Sequence, residues 1–318
     1  PHVFKNELLN IGNKVTGLFC AIISAIAFAA NDTALRRGIL YASVYQSIIV
    51  TVPIGVPLFL IAIVAFRCWS SFSLLNLDSL LLFSSAGIIH FVFGRYFGYK
   101  TIESIGATQA GPIVQLGLLI SLFTAFFILG EVITFLHIIG IALLLMGPLF
   151  ILFGKQNDKY TKSGIKLNYN KGLMWGMMCA FCYGISPLLI KLALHSGDFK
   201  FTIIGGFVAY LSAMIFLIFI VLFSRVSLKE VVSINVDGIK WFTITGILGS
   251  SAQLLRFIAL GFLPISIVEP IHRSSIVFRV LFGYLINRKH EIINLRVLSG
   301  IALSLVGVYL LILQLDLS

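Results

Sequence analysis

The chain of 318 residues is 59% hydrophobic and only 11% charged, with a mean hydropathy of +1.04. A soluble chain carries about 25% charged residues, so too few polar side chains remain here to cover a water-facing surface, while the abundance of apolar sequence argues against disorder. A soluble enzyme, a coiled coil, a disulfide scaffold and a nucleic-acid-binding domain are set aside on these grounds, and the net charge of +11 reads as basic loops that hold a membrane topology and meet anionic headgroups.

A helical span needs about 20 apolar residues to cross about 30 Å of hydrocarbon. Ten spans are predicted, at about 15–35, 41–66, 78–98, 105–128, 133–154, 171–193, 201–223, 238–258, 264–286 and 292–314. The apolar runs are long and unbroken, unlike the alternating strands of a membrane β-barrel. Ahead of the first span, Lys5 and Lys14 with Ala27-Phe28-Ala29 imitate a secretory signal. Cleavage is not expected, because the first span has a counterpart in the second half of the chain. The missing initiator Met is expected of a trimmed chain.

Within the first span Ala21, Ala25 and Ala29 share a face suited to close helix packing. Asn31 and Asp32 lie near its end, where Asp32 either meets water or pairs with Arg36 one turn on. His90, in the third span, is either a satisfied interior histidine or part of a cavity wall. Tyr96, shortly before Lys100, either lines that cavity or anchors the helix at the interface. Glu131 and His137 sit by the short fourth connection, with Glu131 read as a helix-start residue. Residues 155–170 form a basic polar linker between a first half, 1–154, and a second half, 171–318. Cys179-x-x-Cys182 has a redox or metal spacing but lies mid-span, as Cys20 and Cys68 lie in or beside apolar runs; all four are read as packing residues. No metal site and no cofactor is implied.

The two halves repeat. Gly17-Leu-Phe-Cys20 falls over Gly172-Leu-Met-Trp175, and Pro112 pairs with Pro270 at a shift of 158. Glu131, Gly140-Ile-Ala-Leu and Gly147 of the fifth span coincide with Glu291, Gly300-Ile-Ala-Leu and Gly307 of the tenth. Five spans per half force the second half to enter the membrane in the opposite sense. The predicted fold is therefore an all-α integral membrane protein of ten transmembrane helices in two inverted five-helix repeats, with a site near the midplane between them.

The run Ser104-Ile-Gly-Ala-Thr-Gln-Ala-Gly-Pro112, the closing Leu129-Gly130-Glu131 and Phe28-Ala-Ala-Asn31 resemble the signatures of the drug/metabolite transporter superfamily, EamA-like branch, with Tyr183-Gly184 as a second copy. The resemblance covers nearly the whole chain. It implies ten helices in two inverted repeats, a central cavity, secondary transport and termini in the cytoplasm. Charge counting points the other way. Fifteen Lys and Arg residues fall on the side of the odd-numbered connections and six on the side of the termini, which places the odd connections inside the cell.

Ionisable side chains at membrane depth cost about 2.5–3.5 kcal/mol at a helix centre and normally face the bundle interior. Asn31, Asp32, His90, Arg256, Glu269, His272, Arg273 and Arg279 are the candidates. Arg256, near a span end, either snorkels or faces inward. Glu269, His272, Arg273 and Arg279 share one arc of the ninth span, read either as an internal Glu269–Arg273 pair or as a polar transport path. Pro270 lacks a backbone N–H, so a kink or helix start is expected beside Glu269.

Asn31, His90, Tyr96, Arg256, Glu269, His272 and Arg273 are taken as the substrate-binding set of a secondary transporter. It would move a small polar or amphipathic metabolite by alternating access, in the plasma membrane among its lipids. The basic excess leans toward an anionic or zwitterionic solute, and a carboxylate that exchanges partners could couple transport to protons. The alternatives are a membrane-embedded enzyme acting on a lipid-linked or phosphate substrate, which lacks a catalytic motif in this sequence, and a channel, which lacks a repeated filter.

Overall fold

The computed structural model describes residues 2–132, 134–152, 167–194, 199–223, 233–286 and 295–313. Most of the expected linker, residues 155–166, and the repeat anchor Glu291 lie outside the described residues. Among those described there is helix and no strand. Six helical stretches are long and apolar enough to cross a membrane: Gly12–Gly38, Val44–Ala65, Leu77–Ile105, Tyr169–Ala193, Phe199–Phe223 and Val236–Phe262. Shorter apolar helices run over Ile113–Phe127 and Phe135–Met146.

In chain order the helices are α1 (His2–Gly38), α2 (Val44–Thr51), α3 (Gly55–Ala65), α4 (Leu77–Gly87), α5 (Arg95–Ile105), α6 (Ala107–Gln115), α7 (Gly117–Phe127), α8 (Phe135–Leu152), α9 (Tyr169–Ala193), α10 (Phe199–Phe223), α11 (Val236–Phe262), α12 (Ile265–Arg273), α13 (Ser275–Ile286) and α14 (Leu295–Leu313). A π-helical turn over Ile88–Gly94 joins α4 to α5 without a loop. Two further pairs nearly fuse. Only Leu116 separates α6 from α7, and only Ser274 separates α12 from α13.

The polarity of the bundle is inside out relative to a soluble protein. Phe19, Phe123, Phe127, Phe219 and Phe223 are exposed, whereas Asp32, Arg95, Arg256, Glu269, Arg273 and Arg279 are buried. That is the distribution a bilayer selects, since lipid solvates apolar rings at no cost and polar groups must find partners within the protein. Without a hydrophobic drive between helices, association depends on close contact of small side chains. Accordingly α1 packs along α11, with Ala21, Ala25 and Ala29 fully buried and Ser24 donating to the Ala252 carbonyl at 2.7 Å. The other long contact joins α8 to α14. There a Cβ added to Gly307 would lie 2.5 Å from the Gly140 carbonyl oxygen, so the two backbones touch directly.

Candidate functional site

The helices leave a cavity between them, with about 670 Å³ of space not filled by atoms when the open solvent at its mouth is included. Its wall takes Phe28, Asn31 and Asp32 from α1, His90 from the π turn, and Arg95 and Tyr99 from α5. The rest of the wall takes Gln115 of α6, Tyr183 of α9, Gln253 of α11, His272 and Arg273 of α12, and Arg279 of α13.

Local sequence explains why charges reach this depth. Pro264 is extended and begins α12, but offers no side-chain cap. The orphan N–H groups are met from elsewhere: the Glu131 carboxylate accepts from Ile265 N and Ser266 N, each at 2.9 Å. A carboxylate there also suits the positive end of the helix dipole. Glu131 thus caps a helix 134 residues away, and it precedes α8 in a loop. The expectation of a local helix-start residue is corrected, because the unmet donors lie on α12. Pro270 sits inside α12, and the expected break falls four residues later, at Ser274, whose N–H reaches back to the Pro270 and Ile271 carbonyls. The corresponding break at Leu116 faces it. Gln115 Nε2 donates to the Arg273 carbonyl at 2.8 Å, and Arg273 Nη1 to the Val114 carbonyl at 3.4 Å. The two interrupted helices satisfy each other's loose ends.

Two ion pairs organise the charges. Arg256 donates from Nε and Nη2 to one Glu269 oxygen, at 2.8 and 2.6 Å, and both side chains are sealed from solvent. Arg273 approaches the other Glu269 oxygen at 3.7 Å. The expected Glu269–Arg273 pair is therefore the long contact, and the tight partner is Arg256, which does not snorkel. A side chain one helix away can present two donors to the carboxylate, which a neighbour one turn along the same helix does not do here. Asp32 pairs with Arg279 Nη2 and accepts from Asn31 Nδ2 at 2.9 Å. The alternative Asp32–Arg36 pair does not form, since Arg36 Nη1 donates to the Ile102 carbonyl at 3.0 Å.

A hydrogen-bonded chain runs from the sealed pair to the wall. Arg256 Nη1 donates to Gln253 Oε1 at 3.3 Å. Gln253 Nε2 lies 3.0 Å from His90 Nε2, and His90 Nδ1 lies 2.7 Å from Ser186 Oγ. With the amide donating, this network puts the ring proton on Nδ1. His90 also stacks on Tyr183, with ring centroids 4.3 Å apart. Both readings of His90 hold at once, satisfied interior residue and cavity wall. Arg95 is different. Its Nη2 donates to the Tyr210 hydroxyl at 3.0 Å, its guanidinium lies over the Phe91 and Tyr210 rings, and among the described residues no carboxylate pairs with it.

Of the residues expected to bind substrate, Asn31, His90, His272 and Arg273 come together on the wall. Arg256 and Glu269 lie behind it. Tyr96 is outside the lining and packs edge-on against Trp175, centroids 6.0 Å apart. Cys179, expected only to pack, also reaches the wall. Arg95, Tyr99, Gln115 and Gln253 were not singled out as binding residues, and the one available signal was a polar side chain inside an otherwise apolar span.

The sequence profile of the EamA-like transporter family matches residues 15–153 and 170–313. The chain belongs to that family. It is accordingly an integral membrane transporter of the drug/metabolite type, its expected place the plasma membrane. In this EamA-like transporter the cavity draws its wall from both matched stretches. A solved crystal structure has the same fold at a TM-score of 0.64 and 15% identity, over 95% of this chain and 96% of its own; that likeness bears on fold alone. Comparison with curated proteins gives no match.

Proposed function

We propose that this EamA-like transporter carries a small organic anion by alternating access between two inverted halves, 1–154 and 171–318. Ten spans would follow if, among the described helices, each interrupted one is counted once, α2 with α3, α4 with α5, α6 with α7 and α12 with α13. Inversion is supported by the two breaks, which sit at Leu116 and Ser274, the same 158-residue offset as Pro112 and Pro270. Gln115 and Arg273 share that offset and bond one another, as partners on a two-fold axis would. Such an axis lets one half rock against the other around a fixed central site.

The observation that carries the anion reading is the make-up of the wall, which holds three guanidiniums, Arg95, Arg273 and Arg279, against one carboxylate, Asp32. Guanidinium forks bind carboxylate and phosphate oxygens in two-point geometry. Asp32 favours a second reading, a zwitterion whose ammonium meets that carboxylate. Because Glu269 lies behind the wall, Asp32 is also the carboxylate through which a proton gradient would couple to transport.

Purified protein in liposomes tests the proposal. Saturable counterflow of a radiolabelled organic anion is expected, with Arg95→Gln lowering it at least tenfold at matched protein. Nonsaturable flux would mean a channel, and product formation an enzyme. Counterflow of cations alone would overturn the anion reading.

A further inference from the structure

Four arginines surround or underlie the cavity, and they differ in how far their charge is met. Arg279 is paired with Asp32, and Arg256 with Glu269. Arg273 reaches only the far oxygen of the same Glu269, at 3.7 Å, so one carboxylate stands between two guanidiniums. Arg95 has the Tyr210 hydroxyl, the faces of the Phe91 and Tyr210 rings and, among the described residues, no carboxylate. Two carboxylates against four guanidiniums leave two positive charges uncompensated, and they belong to Arg95 and Arg273.

Three further facts bear on these two residues. Each keeps a buried N–H without a partner, Nη1 on Arg95 and Nε on Arg273, as Arg279 also does at Nε although its charge is met by Asp32. Each is held against an aromatic face, Arg95 at 5.4 Å from the Phe91 centroid and Arg273 at 5.9 Å from that of Tyr183. A ring face holds a cation in place without neutralising it. Each also lines the cavity, Arg95 from α5 in the first matched stretch and Arg273 from α12 in the second. The histidines supply no counter-charge, because an imidazole is neutral or positive: His90 is engaged on both nitrogens as a neutral ring, and His272 lies against Phe28 with its buried Nε2 without a partner. Arg36, whose guanidinium goes to the Ile102 carbonyl, is not part of the wall.

Buried charge that has no counter-ion is costly. We infer that the substrate supplies both missing charges: it is a dianion, a dicarboxylate or a phosphate monoester, held between Arg95 of one half and Arg273 of the other. The inference rests on the anion-transport reading and narrows it. It also gives the substrate a structural effect, since a ligand bonded to both halves favours the arrangement in which the two arginines approach each other. A monoanion would leave one guanidinium unmet.

The experiment compares skeleton-matched pairs on purified full-length protein: succinate against its monomethyl ester, and glycerol 3-phosphate against its methyl diester. The readouts are thermal stabilisation in detergent and inhibition of counterflow in liposomes. At least one dianion is expected to act at a tenfold or more lower concentration than its monoanionic partner, and the responding pair tells carboxylate from phosphate. Arg95→Gln and Arg273→Gln should each abolish the gap by weakening the dianion, while Tyr309→Phe, exposed on α14 and outside the lining, should preserve it. Monoanions equal to or better than both dianions would overturn the inference and leave anion transport standing. A preference for cations or neutral solutes would overturn both. No response to either dianion, or a gap that survives both arginine substitutions, also overturns it. If the variants fold poorly, the comparison of pairs on the unsubstituted protein still decides.

Discussion

Two buried carboxylates of this transporter meet arginines in contrasting settings. Glu269 is sealed beneath the cavity, fully buried, with Arg256 wrapped around one oxygen and Arg273 at the other. Asp32 forms part of the wall itself, paired with Arg279 and steadied by the Asn31 amide. The chemistry of the pairs is alike, but what can reach them differs. The first pair is reached only by its own protein neighbours, so it holds helices α11 and α12 together. A solute can reach the second, so its partners are open to exchange. Burial alone therefore does not separate a structural ion pair from a working one, whereas access from the cavity does.

Removing one member of the sealed pair should have the largest effect. Glu269→Gln leaves two guanidiniums without a counter-charge and is expected to cost about 3–5 kcal/mol, seen as a large fall in melting temperature in detergent. Melting unchanged by this variant would break the contrast. Replacing both members, Arg256→Met with Glu269→Leu, should recover at least half of that loss, because a well-packed apolar pair avoids the desolvation penalty; a double variant no more stable than the single one would show that the pair fixes more than charge.

Asp32→Asn should do the reverse. Arg279 faces a wetter space, so about 1–2 kcal/mol of stability is at stake, while saturable uptake driven by an inward proton gradient should fall at least tenfold. Uptake retained alongside a large loss of stability would place Asp32 with Glu269 as a structural residue. The smallest effect is expected at Glu131. Glu131→Gln keeps one of the two acceptors at the α12 N-terminus, turns an amide NH2 toward the other N–H and removes the charge that suits the helix dipole, at a cost of about 1 kcal/mol. A loss near that for Glu269 would mean that anchoring α12 matters as much as the pair it carries.

Much of this was legible from the sequence because membrane helices advertise their exceptions. Glu269, His272, Arg273 and Arg279 stand out as charges in an apolar run, and all four are buried on or behind the cavity wall. Partner choice was not legible. Glu269 has an arginine one turn along its own helix, yet the closer one comes from α11, and only the crossing of two helices decides that. Arg95 was hidden for another reason. Near the expected end of its span it reads either as a loop charge or as one facing a cavity, and the fact that its helix continues to Ile105, which decides between them, is not visible in a hydropathy window. Tyr96 misled by adjacency, since its neighbour Arg95 faces the cavity while Tyr96 turns toward Trp175.

The π turn over Ile88–Gly94 has a consequence for how such walls diversify. In it the Arg95 N–H reaches back five residues to the His90 carbonyl, one more than in an α-helix, so the segment behaves as a helix with one residue looped in. The extra residue is taken up locally, so deleting one residue inside the turn would restore a regular helix and leave Arg95, Gly98, Tyr99 and Ile102 on the wall. The same deletion within a regular stretch of α-helix would swing everything beyond it by about 100°. The turn thus works as a buffer of segment length: an indel inside it is absorbed, while one elsewhere in the helix exchanges one whole lining for another.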